Sequence, residues 1–138
     1  MSALKTYIVE DSPVIRENLV AALEEMTPVS VVGTAEDEAT ARDWLERSDA
    51  DCDLVIIDIF LRKGSGLGVL QGLAQSPRDC KRVVLSNFAT PDMRRKCLDL
   101  GAHKVFDKSN EIDALIGYCL RLADGGGDTS PGALQELA

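Results

Sequence analysis

Short apolar runs alternate with amphipathic stretches over the first 123 residues of this 138-residue chain. The runs have the length of buried strands, and the stretches between them repeat apolar residues at the spacing of a helix. The predicted strands are 4–9, 29–35, 53–57, 81–85 and 104–106. The predicted helices are 13–27, 37–47, 67–75, 90–100 and 109–123. Strands that alternate with helices predict a parallel sheet with helices on both faces.

The third predicted strand is the most strongly apolar of the five. Its residues 54–57 are all apolar, and such a strand is typical of the centre of a parallel sheet, buried on both faces. We therefore predict an α/β fold with a flavodoxin-like, doubly wound five-stranded sheet in the order 2-1-3-4-5. In that order the first and third strands are neighbours at the switch point, where open α/β sheets bind their ligands.

Helix ends and buried helix faces can be predicted from individual residues. A hydroxyl precedes proline at Ser12-Pro13 and at Thr90-Pro91, which predicts a cap followed by the first helical residue. Spacings of three and four residues place the apolar side chains of each helix on one side. The residues expected to face the core are Ile15, Leu19, Ala22, Leu23, Met26, Ala41, Trp44, Leu45, Ile112, Leu115, Ile116, Cys119 and Leu120.

The composition changes after residue 123. Three glycines at 125–127 and the pair Pro131-Gly132 fall within this last stretch, and such residues are typical of flexible segments. We therefore predict one domain over residues 1–123 and a flexible C-terminal tail over residues 124–138.

The chain is acidic, with 15 basic and 23 acidic residues and a formal net charge of -8. Non-specific nucleic-acid binding depends on Lys and Arg that neutralise phosphates, so this charge argues against a nucleic-acid partner. No apolar run approaches the roughly 18 residues of a membrane-spanning helix. The N-terminus also lacks the charged and apolar regions of a signal peptide, so we expect a cytoplasmic protein without membrane contact.

The cysteines do not form a metal-binding pattern. They include no CxxC pair, and the one histidine, His103, is not at zinc-finger spacing, which argues against a zinc site. We expect reduced thiols that are buried in apolar segments. The four residues are Cys52, Cys80, Cys97 and Cys119.

A basic run, Arg94-Arg95-Lys96, stands out in this acidic chain. It falls on the fourth predicted helix. A run of charges is usually a solvated face, and this is our interpretation here. The alternative is a surface that contacts a partner protein.

Polar residues follow four of the five predicted strands. They are Glu10-Asp11, Asp58, Ser86 and Lys108. In a parallel sheet the carboxyl ends of the strands share one edge, so we expect these side chains to meet there. Crowded carboxylates need a proton, a lysine or a metal to offset their repulsion, and hard oxygen ligands suit Mg²⁺. Asp58 could then act as a nucleophile toward a phosphoryl group that Ser86 and Lys108 contact.

This ordered set of residues resembles the receiver domains of two-component response regulators. The resemblance covers roughly residues 4 to 122. It rests on five features that occur in order and at the family's spacing. These are the acidic pair Glu10-Asp11, the strand that ends at Asp58, Gly66-Leu67 beyond it, the strand that ends at Ser86, and Gly101-Ala102 before Lys108.

The resemblance implies a role for each site residue. Asp58 would be the phosphorylated residue and would receive a phosphoryl group from a sensor histidine kinase or a histidine phosphotransfer protein. Asp11 and Asp58 would ligate Mg²⁺ directly, Glu10 would act through water, and the backbone carbonyl of Phe60 would be a further ligand. In the family, the positions of Ser86 and Lys108 bind the phosphoryl oxygens.

Several positions depart from the family's usual pattern. Asn87, in the phosphoryl-binding region, occupies a place that is commonly Ala or Gly, and Ser109 one that is commonly proline after a cis bond. Val105 holds the position of the family's aromatic switch, and the neighbouring Phe106 is expected in the core. Signalling by rotation of an aromatic side chain is therefore less well supported than the phosphorylation chemistry.

Two phenylalanines flank the expected pocket. Phe60 lies two residues beyond Asp58, and Phe88 lies two residues beyond Ser86. The resemblance implies that these positions tune the lifetime of the phosphoryl group. Bulky apolar side chains would exclude attacking water, so we expect a long-lived aspartyl phosphate.

We therefore expect a stand-alone, single-domain response regulator that is not an enzyme beyond its own phosphoryl transfer. It would relay the phosphoryl group or change its binding to an unknown downstream protein. One alternative is a protein-binding pseudo-receiver, which would have lost acidic or lysine positions that are present here. Another is an Asp-nucleophile phosphohydrolase, but its second Asp is replaced by Phe60. A flavin-binding flavodoxin relative would need a phosphate-binding Ser/Thr/Gly loop after the first strand, where Glu10 and Asp11 give residues 10–13 the wrong charge.

Overall fold

Five strands and five helices alternate in the computed structural model, which describes residues 3–47, 51–76 and 79–125. The strands are Leu4–Val9 (β1), Val29–Ala35 (β2), Leu54–Ile57 (β3), Lys81–Ser86 (β4) and Lys104–Asp107 (β5). The helices are Pro13–Met26 (α1), Glu38–Glu46 (α2), Gly66–Ala74 (α3), Pro91–Asp99 (α4) and Ile112–Ala123 (α5). Every predicted strand is confirmed to within one residue at each end. Most of the predicted tail, from residue 126 onward, lies outside the described residues.

The strands form one parallel sheet in the order β2-β1-β3-β4-β5, which confirms the predicted flavodoxin-like arrangement. All four residues of β3 are buried. The strand pairs with β1 on one side and with β4 on the other. Its continuous apolar run therefore reflects a strand that is covered on both faces.

Alternate residues along the strands pack into two separate hydrophobic cores. Val9, Val55 and Ile57 belong to a core that includes buried residues of α2, α3 and α4, whereas Ile8 and Ile56 belong to one that includes residues of α1 and α5. The four cysteines are buried and in thiol form, as predicted. The sheet is thus fixed from both sides, and this fixes the direction of every strand end.

Three residues predicted to face the core are exposed. Ile15 and Met26 lie in the first and last turns of α1 and are 39% and 55% exposed, whereas Leu19 and Leu23 between them are buried. Leu120 is 42% exposed, whereas Tyr118 and Cys119 just before it on α5 are buried. A helix that lies on a sheet buries a narrow stripe, and its end turns can extend past the contact.

The predicted caps of α1 and α4 are confirmed. Ser12 accepts a hydrogen bond from the Ile15 N–H at 3.3 Å, and Thr90 accepts one from the Met93 N–H at 3.2 Å. The start predicted for α5 at 109 is wrong, because the helix begins at Ile112 after a turn. No helix in the described ranges is long and apolar enough to cross a membrane.

Candidate functional site

The predicted polar residues lie at or just beyond the ends of β1, β3, β4 and β5 and meet at one edge of the sheet, as predicted. Backbone hydrogen bonds extend the strand pairing into them. The Asp58 N–H donates to the Val9 carbonyl at 2.9 Å, and the Lys108 N–H donates to the Ser86 carbonyl at 3.0 Å. The backbone at each strand end is therefore fixed by its neighbour, and the side chains emerge from a rigid edge.

Three carboxylates form an acidic cluster at this edge. Glu10, Asp11 and Asp58 each offer an oxygen, and these atoms lie within 4.8 Å of one another. Glu10 is 2% exposed and Asp58 is 7% exposed. Both are among the few buried charged residues of the described structure, and such groups need a partner.

Lys108 is that partner. Its Nζ donates to Glu10 Oε1 at 2.6 Å and to Asp58 Oδ2 at 2.9 Å. The Lys108 side chain is itself 10% exposed. The ammonium group therefore bridges two carboxylates that come from different strands, and it links β5 to β1 and β3 across the site.

Burial and charge shift the pKa values of Asp58 and Lys108. Burial raises the pKa of Asp58; the hydrogen bond and charge of Lys108 oppose this rise, and the charge of Glu10 adds to it. Burial alone would lower the pKa of Lys108, but its contacts with Glu10 and Asp58 outweigh burial and raise that pKa. Lys108 therefore stays protonated at neutral pH.

The donor set fits a divalent cation. When all three carboxylates are ionised, Lys108 neutralises one of three negative charges and leaves two. Carboxylate oxygens are the ligands that Mg²⁺ and Ca²⁺ prefer. The cluster can therefore hold a hard cation, whose charge would offset the remainder.

Backbone groups fix the orientation of the carboxylates. The Ser12 N–H donates to Glu10 Oε2 at 3.1 Å, so both carboxylate oxygens of Glu10 are engaged. The Phe60 backbone N–H favours the ionised form of Asp58 and so opposes the rise of its pKa. The predicted metal-binding role of the Phe60 carbonyl stays a prediction.

The loop after β3 is packed closely against its own strand. The Gly66 N–H donates to the Ile59 carbonyl at 2.8 Å. A Cβ atom added at Gly66 would lie 2.1 Å from the Asp58 carbonyl oxygen. Glycine is therefore required here for close approach of two backbone segments, which explains the Gly66 of the sequence pattern.

Ser86 is completely buried at the end of β4. Its Oγ accepts a hydrogen bond from the Phe88 N–H at 3.0 Å. Asn87 accepts a 3.5 Å contact from the Ser109 hydroxyl, so it lies beside the loop after β5. No peptide bond within the described ranges is cis, and the bond that joins Lys108 to Ser109 is therefore trans.

The two predicted flanking phenylalanines touch each other. The rings of Phe60 and Phe88 meet edge to face with their centroids 4.8 Å apart. They remain 51% and 57% exposed. The aromatic pair therefore joins the loop after β3 to the loop after β4 at the surface.

The switch positions on β5 are both buried. Val105 and Phe106 are each 8% exposed and belong to the two different cores. Phe106 lies 6.0 Å from the Tyr118 ring, centroid to centroid, which confirms its predicted place in the core. Val105 packs with residues of the α2, α3 and α4 side.

Sequence reasoning missed two residues that organise the surroundings of the site. Glu38, at the start of α2, accepts a hydrogen bond from the Ser65 N–H at 2.9 Å and so holds the loop that follows Asp58. Arg94 was predicted to belong to a solvated face, yet it donates three hydrogen bonds within the domain. Its neighbours Arg95 and Lys96 are exposed, as predicted. Gly64 and Gly68 pack against the Glu38 side chain, and these glycines are the sequence signal that could have pointed to Glu38. No such signal pointed to Arg94.

Comparison with protein families finds a match over most of the chain. The family model described as the response regulator receiver domain matches residues 6–119. The transcriptional regulatory protein DegU of Brevibacillus brevis is 27% identical over 134 residues, which is 97% of this chain and 56% of DegU. The chain spans about half the length of the first curated relatives it matches.

Solved structures share the fold at low sequence identity. The signal receiver domain of the response regulator NarL from Mycobacterium tuberculosis is 22% identical, with a TM-score of 0.79 over 91% of this chain and 99% of that one. A response regulator from Burkholderia pseudomallei, solved with a phosphorylated aspartic acid, a calcium ion and citrate, is 18% identical. Its TM-score is 0.72 over 88% of this chain and 70% of that one.

Proposed function

Because this chain belongs to the response regulator receiver domain family, we propose that Asp58 accepts a phosphoryl group from a phosphohistidine. The donor would be a sensor histidine kinase or a histidine phosphotransfer protein. The observation that carries the proposal is the place of Asp58, a nearly buried carboxylate between an acidic cluster and the Lys108 ammonium group. The attacking carboxylate and the phosphoryl group are both negatively charged and need positive charge beside them, which Lys108 supplies on one side and a cation bound to the acidic cluster would supply on the other.

The transfer is a displacement at phosphorus. A carboxylate oxygen of Asp58 forms a bond to phosphorus while the bond from phosphorus to the imidazole nitrogen breaks. The electron pair of the broken bond stays on the imidazole of the donor protein. The product is an aspartyl phosphate, and the chain returns to its starting state when water attacks the phosphorus.

We propose Mg²⁺ as the cofactor, held by Glu10, Asp11, Asp58 and the Phe60 carbonyl. Bound there, it would neutralise charge on the carboxylates and on the phosphoryl oxygens. The two uncompensated negative charges of the cluster support this assignment. The calcium ion and phosphorylated aspartic acid of the Burkholderia pseudomallei regulator occur in a protein of the same fold.

Lys108 and Ser86 would contact the phosphoryl oxygens. Lys108 Nζ already lies 2.9 Å from the Asp58 oxygen, so the ammonium group is in reach of any group bound to it. The Ser86 hydroxyl accepts from Phe88 and keeps its own proton to donate. Charge-assisted hydrogen bonds of this kind are the stronger ones in proteins.

The output would be a change in protein binding or an onward relay of the phosphoryl group. Phosphorylation adds about -1.5 to -2 charge at one edge of the sheet. We propose no turnover activity beyond this transfer and its reversal by hydrolysis, because Phe60 occupies the place of the second Asp of a phosphohydrolase. DegU is named as a transcriptional regulatory protein, but this chain matches only 56% of its length. We therefore do not extend a transcriptional role to this chain.

Labelling with a small phosphodonor tests the proposal. We expect incorporation of phosphate from acetyl phosphate into the parent protein in Mg²⁺ and none after chelation. Asp58→Asn should remove the labelling. Asp53→Asn is the matched control, since Asp53 lies at the other end of the same strand and is exposed. Equal labelling of the parent and Asp58→Asn would overturn the assignment.

A further inference from the structure

Arg94 on α4 directs its guanidinium group inward, to three acceptors on three different segments. Its Nε donates to the Ala89 carbonyl at 2.9 Å, and one terminal nitrogen donates to the Val105 carbonyl at 2.9 Å. The other terminal nitrogen donates to Glu111 Oε1 at 2.7 Å. These are the usual lengths of charge-assisted hydrogen bonds between nitrogen and oxygen, and the one to Glu111 is also an ion pair.

The three acceptors lie close in sequence to the residues proposed to contact the phosphoryl group. Ala89 is three residues beyond Ser86, Val105 is three residues before Lys108, and Glu111 is three residues beyond Lys108. One side chain therefore joins the loop after β4 to both ends of the segment that carries Lys108. A planar fork of donors is suited to hold several acceptors at fixed angles, whereas an ammonium group is not.

The link continues through Glu111 to the residue beside Lys108. Glu111 Oε1 also accepts a hydrogen bond from the Asp107 N–H at 2.8 Å, and the Glu111 N–H donates to the Asp107 carbonyl at 2.8 Å. The Asp107 carboxylate accepts from the Ser109 N–H at 2.7 Å. The turn that contains Lys108 is thus closed on itself and attached to Arg94 at the same oxygen.

Two other direct links join these loops. One is the hydrogen bond from the Lys108 N–H to the Ser86 carbonyl at the strand ends, and the other is the long 3.5 Å contact from the Ser109 hydroxyl to Asn87. Arg94 adds a charged point of attachment farther along each loop, at Ala89 and at Glu111. A further point on each loop helps to determine its direction as well as its position.

We propose that Arg94 is a positioning residue for phosphoryl transfer. It sets the separation of the loops after β4 and β5, and thereby holds Ser86 and Lys108 where phosphoryl oxygens would bind. This inference rests on the proposed function of Asp58. It assigns a task to one member of a basic run whose other two members are exposed.

The test compares the rate of phosphoryl transfer, to which Ser86 and Lys108 would contribute, with the affinity for Mg²⁺, to which the carboxylates would contribute. We expect the maximal rate of Asp58 labelling by acetyl phosphate to fall about tenfold in Arg94→Gln, because small displacements of contacting groups slow such steps strongly. Arg94→Lys should be nearly as slow, because it keeps the charge and loses the fork. The affinity for Mg²⁺, measured by calorimetric titration, should stay within about twofold of the parent, because the carboxylates are held by other elements.

Controls keep the result specific to positioning. Arg95→Gln removes an equal charge from the adjacent exposed residue and should label at the parental rate. Glu111→Gln keeps an acceptor oxygen and should be slowed less than Glu111→Ala. All rates are compared at a temperature where circular dichroism shows each variant to be folded; should Arg94→Gln not fold, Arg94→Lys and the Glu111 pair decide the question.

The outcomes are distinct. If the parent labels at Asp58 and both Arg94 variants label at the parental rate, the positioning role is wrong and the proposed function stands. If Mg²⁺ affinity falls in proportion to the rate, the role is a general structural one and the inference is also wrong. If the parent does not label at Asp58, the proposed function fails and the inference fails with it.

Discussion

The two halves of the site are built in different ways. In the acidic half, at the ends of β1 and β3, Glu10 and Asp58 leave buried strands directly and are nearly inaccessible. In the phosphoryl-contact half, at the ends of β4 and β5, Ser86 and Lys108 are also nearly inaccessible, but the loops beyond them are joined by an ion pair between Arg94 and Glu111 that is about one third exposed. The acidic half is therefore held by the core, whereas the loops of the phosphoryl-contact half are held in part by an ion pair at the surface.

The largest effect should follow from breaking the link between the halves. Lys108→Met leaves Glu10 and Asp58 without their cation, and the loss of one partner of a buried pair costs about 3–5 kcal/mol. We expect the free energy of unfolding to fall by about 3 kcal/mol in chelator, measured with urea. Added Mg²⁺ should recover part of the loss, because a cation that binds the folded cluster stabilises it. A variant as stable as the parent in chelator would contradict the pairing.

A glycine pair compares the closely packed loop of the acidic half with an open position on α5. Gly66→Ala would place a Cβ 2.1 Å from the Asp58 carbonyl oxygen, and we expect a loss of about 2–3 kcal/mol in unfolding free energy, as for overpacking. Gly117→Ala, on α5, would meet only the flexible end of Arg121 at 3.4 Å. That variant should gain about 0.5–1 kcal/mol from helix propensity. If Gly66→Ala changed the unfolding free energy no more than Gly117→Ala, the loop of the acidic half would not be closely packed.

The aromatic pair should set the rate of dephosphorylation. Replacing Phe60 or Phe88 with serine opens the contact between their rings and should admit water, so we expect decay of the aspartyl phosphate to be about 3–10-fold faster. Leu98→Ser, on the exposed surface of α4, is the control and should not change the decay. If the aspartyl phosphate decayed at the parental rate in both phenylalanine variants, the aromatic pair would not control dephosphorylation.

The smallest effect concerns the pH dependence of stability. Folding raises the pKa of Asp58, so its proton is held more tightly in the folded state. The folded state therefore loses stability as pH rises from the unfolded pKa of about 3.8 through the raised folded value. Asp58→Asn lacks this loss. Its stability relative to the parent should increase across that window, in urea titrations with chelator, and then become constant.

If the difference in unfolding free energy between Asp58→Asn and the parent stayed constant across this pH window, the raised pKa of Asp58 would be contradicted. Lys108 does not complicate the comparison, because its pKa is raised above 10.5 and its contribution is fully present at lower pH. The window for Asp58 therefore lies well below the pH at which the ammonium group begins to lose its proton.

The strands and the site residues at their ends could be predicted from the sequence. An apolar run such as residues 54–57 indicates where a buried strand lies and how long it is. Parallel strands then bring their carboxyl ends to one edge of the sheet. The pairing of Lys108 with Glu10 follows from that geometry, though its distances do not. Local pattern and global topology agree along this edge, which is why these polar residues meet as predicted, while their roles in phosphorylation stay predictions.

The Arg94 network could not be predicted, because the direction of a long side chain is not encoded in local periodicity. Arg94 and Arg95 are equivalent in sequence, and only the tertiary position of Ala89, Val105 and Glu111 distinguishes them. The late start of α5 has a similar origin. Its first turn is replaced by hydrogen bonds that close around Asp107, and such side-chain bonds to the backbone compete with a helix.

The central claim is that Asp58 is the residue that becomes phosphorylated. Borohydride reduction of the labelled protein converts an aspartyl phosphate to homoserine, and peptide mass spectrometry then locates it. We expect homoserine at position 58 after labelling in Mg²⁺, and an unmodified Asp58 when Mg²⁺ is chelated. Homoserine at another acidic residue, or phosphate retained with none formed at position 58, would contradict the account.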